Sequence, residues 1–76
     1  MYLIHYGGMG GPALANTIEE AKAQAETCVR ARVSRCNGGD GEPVAYYNRP
    51  GFNYPDAKAW HLKDGATAAE RATLLG

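Results

Sequence analysis

Short aromatic or β-branched runs separated by glycine-rich breaks dominate the chain, and only two stretches carry the three-and-four spacing of a helix. Tyr2-Leu3-Ile4-His5-Tyr6 reads as a strand that stops at the loop Gly7-Gly8-Met9-Gly10-Gly11-Pro12. Thr17 stands three residues before Glu20, the capping-box spacing in which hydroxyl and carboxylate each satisfy an orphan amide of the first turn, so a helix starts there. Ile18, Ala21, Ala25, Cys28 and Val29 form one narrow apolar stripe, with Glu19, Lys22, Glu26 and Arg30 on the other face. A stripe made mostly of alanine lets a helix lie close on a sheet. Each further methylene buried there contributes about 0.8 kcal/mol, which makes Ile18 the anchor of the contact. Glu26 and Arg30 at i, i+4 add a few tenths of a kcal/mol.

The run from Arg30 to Cys36 fits either period. Alternation of Ala31 and Val33 with Arg32 and Ser34, followed at once by the turn cluster Asn37-Gly38-Gly39-Asp40-Gly41, favours a strand over 31–36. A second strand over 44–48, Val44-Ala45-Tyr46-Tyr47-Asn48, returns antiparallel. Residues 49–56 form a loop with Pro50-Gly51 as a type II turn, and 58–63 is the last strand, ended by Asp64-Gly65. Thr67 and Glu70 repeat the capping box and open a short helix over 68–75, packed through Leu74 and Leu75 at the sheet edge. The order β-α-β-β-β-α predicts a single α+β domain over 1–76. Its antiparallel sheet has three to four strands, with one helix packed on one face and a short C-terminal helix, and its opposite face is partly open.

Composition sharpens this picture. Leu, Ile, Val and Phe supply only 11 of 76 residues, a level at which a strongly charged chain would not fold. Eight Lys plus Arg balance eight Asp plus Glu, and five Tyr and one Trp offer the burial area that the aliphatics lack. A chain of this size buries only about 60% of its unfolded surface, so its core is thin and a partner adds stability. Zero net charge excludes a whole-molecule polyanion or polycation mechanism. No apolar run approaches the roughly 20 residues of a membrane span, and Met1 to Tyr6 lacks the basic region of a signal peptide, so the expected compartment is cytoplasm.

Chemistry is sparse. The Gly7 to Pro12 loop lacks the Gly-Lys-Ser/Thr ending of a P-loop, and Pro12 to Asn16 separate it from the helix, unlike a dinucleotide loop. Cys28 and Cys36 read as reduced, buried thiols, with Cys28 on the apolar stripe as inert core. Zinc would need His5 and His61 to complete a four-ligand set, and no short ligand spacing is present. No cysteine–histidine pair has an orienting third group, and the carboxylates occupy helix faces and turns. The expectation is a non-enzymatic protein with no metal and no cofactor.

Surface recognition remains. Arg30, Arg32 and Arg35 lie within six residues, Arg32 sharing a strand face with Ser34 and Cys36 while Arg35 lies with Val33 on the other. Tyr46 and Tyr47 point to opposite faces, so one of them belongs to the open side of the sheet. Phe52 and Tyr54, set beside prolines in the 49–54 loop, either project towards a partner or fold back over the sheet, and Tyr, Trp and Arg are the residues enriched at interface hot spots. The expected partner-binding residues are Arg30, Arg32, Arg35, Tyr47, Phe52 and Tyr54.

An N-terminal strand, a helix opening Thr17-Ile18-Glu19-Glu20-Ala21-Lys22 and a meander ending Ala59-Trp60-His61-Leu62-Lys63 resemble small phage-encoded proteins, above all the anti-CRISPR inhibitors of type I surveillance complexes. The resemblance implies a non-enzymatic inhibitor, acting in the cytoplasm of a bacterial host as a monomer or weak homodimer. Such a protein docks on a Cas subunit of the complex and blocks target DNA binding. Two alternatives share the same fold: a single-stranded nucleic-acid-binding module that uses the open sheet face, and a phage structural or assembly protein that completes its thin core by self-association.

Overall fold

The computed structural model describes residues 1–6, 12–36, 41–51 and 59–76. Strands β1 (Tyr2–Tyr6), β2 (Ala13–Ala15), β3 (Arg30–Arg35), β4 (Glu42–Asn48) and β5 (Trp60–Leu62) form one antiparallel sheet in the order β2-β1-β3-β4-β5, joined by helices α1 (Ile18–Ala25) and α2 (Ala68–Leu75). The α+β class, the hairpin-like return of β4 on β3 and both helix starts follow the sequence expectation. Thr17 caps α1 by accepting from the Glu20 N–H at 3.2 Å, and Thr67 and Glu70 close a full capping box on α2. Gly51 takes φ +80°, the conformation that the second central residue of a type II turn requires.

Three details differ. The sheet has a fifth strand, β2, paired with β1 through Leu3↔Leu14. Ala13-Leu14-Ala15 is too short, and too poor in β-branched residues, to announce itself. Helix α1 ends at Ala25, before the stripe does, because the Thr27 hydroxyl takes the Gln24 carbonyl at 2.6 Å and the Cys28 N–H closes a tight turn on the Ala25 carbonyl. Cys28 is therefore half-buried beyond the helix instead of on its stripe, and Glu26 is the C-cap. With Arg30 already in β3, the expected Glu26–Arg30 helix pair does not form; Glu26 accepts from Trp60 Nε1 instead, at 3.1 Å. Finally, Leu74 is buried but Leu75 is 62% exposed.

Register sorts the strands into two faces. Tyr6, Ala31, Tyr47 and Trp60 align across the sheet, as do Ile4, Val33, Ala45 and Leu62. Both rows lie under the helices and pack with Ile18, Ala21, Ala25 and Leu74 as the core. The ladder breaks between Val33 and Ser34, leaving Val44 as the extra residue of a bulge beside Pro43, which has no amide to donate. The bulge sends Val44 fully into the core. The Tyr47 and Trp60 rings, 5.0 Å apart and tilted by 49°, supply the bulk that the alanines lack.

The two helices are also tied by a polar contact. Lys22 Nζ donates to the Thr73 carbonyl at 3.0 Å, placing a cation at the C-terminal end of α2. No helix among the described residues is long and apolar enough to cross a membrane.

Candidate functional site

The face turned away from the helices is built by the other parity of each strand. His5 pairs with Arg32, Arg32 with Tyr46, and Tyr46 with His61, giving one transverse row over four strands. Arg30 and Asn48 form a second cross-strand pair on that side, and Leu3, Ser34 and Pro43 a third row. Two hollows lie on this face. One, of about 590 Å³, is lined by His5, Arg30, Arg32, Tyr46 and Asn48 among others; the second, of about 330 Å³, runs towards Leu3, Ser34 and Pro43. His5, Arg32 and Tyr46 line both and stand between them.

The electrostatics of this face are one-sided. Arg30 and Arg32 are exposed, and neither guanidinium has a hydrogen bond or ion pair among the described residues. Lys63, just past β5, holds its ammonium 4.5 Å from the centre of the Tyr46 ring, a cation–π contact that adds a third positive charge. Among the described residues, no strand position on this side is acidic. The zero of the whole chain thus conceals a basic face opposite a helix surface that carries Glu19, Glu20 and Glu26.

Arg35, expected as a contact residue, does different work. Its guanidinium reaches Glu42 at 2.7 Å and the Gly65 carbonyl at 3.0 Å, and makes two hydrogen bonds to Glu70. The Tyr2 hydroxyl donates to Glu70 at 2.6 Å, and the Thr67 N–H donates to it at 2.8 Å. Glu70 is 4% exposed. Burial alone would push its carboxyl up, but the hydrogen bonds from Arg35, Tyr2 and the Thr67 amide, with the Arg35 charge behind them, hold it down at about 2. Burial and the neighbouring Glu70 carboxylate push the Tyr2 phenol up, whereas the hydrogen bond to Glu70 raises Arg35 further above its already high value. This cluster fastens the start of α2 to the end of the sheet.

The structure therefore divides the expected binding residues. Arg30 and Arg32 sit together on the open face. Arg35 belongs to the Glu70 clamp on the covered side, and Tyr47 is buried against Trp60, so Tyr46 is the tyrosine that faces out. Phe52 and Tyr54, like the Gly7 to Gly11 loop, lie outside the described residues. From the sequence, His5 and His61 enter only as candidates for metal or cysteine chemistry, strand alternation does not choose between Tyr46 and Tyr47 for the open side, and Asn48 and Lys63 have no role. The available signal was parity: once Arg32 is on the open side, its neighbours at the same pleat on adjacent strands share that side.

Among the described residues the geometry assembles neither a metal site nor a paired thiol. His5 and His61 are separated by three strand spacings, roughly 14 Å, too far to share a metal ion. Among the described residues no group of three or more His, Cys, Asp and Glu side chains is placed to hold one. Cys28 and Cys36 are free and partly exposed. What the open face can do chemically is bind anionic groups by charge and hydrogen bonding. The chain matches no protein-family model, no curated protein and no solved structure.

Proposed function

We propose that this chain is a non-enzymatic binding protein of the anti-CRISPR kind, acting in the cytoplasm of a bacterial host. It docks through the open face of its sheet on an acidic surface of a Cas subunit in a type I surveillance complex and so blocks target DNA binding. The observation that carries the reading is the basic face, without an acidic strand position among the described residues, on which Arg30, Arg32 and Lys63 surround Tyr46. Arginine and tyrosine side by side are what an interface hot spot uses, and a field confined to one face steers a partner without a net charge. The Cas subunit itself comes from the resemblance of the chain to type I inhibitors.

Charge reversal tests it. R30E/R32E abolishes capture of a purified type I surveillance complex while the melting temperature stays close to wild type, because both side chains are exposed. Wild-type capture by the double variant, or no capture by the wild-type protein, overturns the reading. A single-stranded nucleic-acid module would use the same face, and Tyr46 between Arg32 and His61 is its best support. Oligonucleotide binding that weakens steeply with salt is the outcome that would select it.

A further inference from the structure

Arg30 and Arg32 are two residues apart on one face of β3, and a strand rises about 3.3 Å per residue, so their Cα atoms are spaced by roughly 6.7 Å along it. Each has a polar companion across the ladder: Asn48 beside Arg30, His5 beside Arg32. These four side chains line the same hollow of about 590 Å³. They make two stations along β3, each a guanidinium with one hydrogen-bonding neighbour, Asn48 on the β4 side and His5 on the β1 side, set at the period of an extended chain. Building on the docking reading above, we propose that the partner's contact is an extended acidic segment with carboxylates at alternate positions, one taken at Arg30 and Asn48 and the next at Arg32 and His5.

Charge and period both argue for that occupant. An extended chain places every second side chain on one side at the same roughly 6.7 Å repeat, so two carboxylates at i and i+2 meet both stations at once, whereas neighbouring ones point to opposite sides. Arginine is suited to the task, since its planar fork takes a carboxylate through two parallel hydrogen bonds. A nucleic-acid strand fits less well. By register, Tyr46 is the one non-histidine aromatic ring that the described strands turn to this side, and one face of it already carries the Lys63 ammonium. Successive bases would find too few rings to stack on.

The test uses the full chain and fluorescence anisotropy at about 10 mM salt, where charges act over about 30 Å. The probes are a labelled eight-residue Ser/Glu peptide with glutamates at alternate positions, its isomer with the same glutamates in one block, and a labelled oligothymidine of similar charge. The alternating peptide binds about ten-fold tighter than the block isomer, and Arg30→Ala or Arg32→Ala each costs about five- to ten-fold. Equal affinity of the two peptides, no peptide binding, or tighter binding of the oligothymidine overturns the proposal. Capture of the surveillance complex by R30E/R32E, run in parallel, separates the two failures. Lost capture with no preference between the peptides sinks the spacing alone, whereas retained capture sinks the docking reading beneath it.

Discussion

Replacing Glu70 by glutamine removes one charge and leaves the shape of the α2 clamp nearly unchanged, so it isolates what the carboxylate contributes. In the folded chain that carboxyl is held down from an ordinary 4.5 to about 2. At about 1.36 kcal/mol per pH unit this amounts to roughly 3 kcal/mol of stability, present above pH 5. The folded value lies below the unfolded one, so between them the unfolded chain binds more protons, and the contribution drains away as pH falls from about 5 towards 2. By pH 3 roughly 2 kcal/mol of it is gone. For a thin-cored domain whose total is at most of order 5–10 kcal/mol, that is a large share. Urea denaturation of wild type and E70Q at pH 7, 5 and 3 reads it out, and the gap between the two proteins narrows by roughly 2 kcal/mol from pH 7 to pH 3. Should E70Q prove too unstable to measure at acid pH, Tyr2→Phe provides a milder version, costing about 1–2 kcal/mol at pH 7 through one lost charge-assisted hydrogen bond. A gap that stays constant with pH would refute the argument, because the carboxylate would then titrate alike in both states.

Three further substitutions probe the clamp, the open face and the Trp60 contact. Arg35→Ala leaves Glu70 buried without its partner and costs about 2–4 kcal/mol, while Arg32→Ala, on the exposed face, stays within about 0.5 kcal/mol; thermal melts of the two variants rank them directly. Glu26→Ala strips the acceptor from the Trp60 indole, lowering stability by about 1 kcal/mol and shifting the emission of the only tryptophan in the chain.

The helix starts were the most legible part of the fold, since Thr17 and Thr67 each announce themselves through a carboxylate three residues on, a purely local signal. Strand parity was legible too: Arg35 does share its face with Val33, opposite Arg32. What local pattern does not carry is which face the helices cover. That depends on tertiary packing, and it reverses the meaning of two residues. On the covered side Arg35 meets Glu70, 35 positions away, and becomes a structural ion pair, while Tyr47 meets Trp60 and becomes core. Proximity in the chain grouped Arg35 with Arg30 and Arg32; the pleat separates them. The end of α1 was hidden for a similar reason, because Cys28 and Val29 continue the apolar spacing while the Thr27 hydroxyl turns the backbone out of the helix.

The decisive measurement is the ability of the protein to prevent a purified type I surveillance complex from binding its target DNA, compared between wild type and R30E/R32E by gel shift, with the melting temperature of each recorded alongside. Wild type blocks DNA binding and the double variant, melting within about 3 °C of it, does not. A double variant that blocks as well as wild type, or a wild type that leaves DNA binding untouched, contradicts the open basic face as the functional surface.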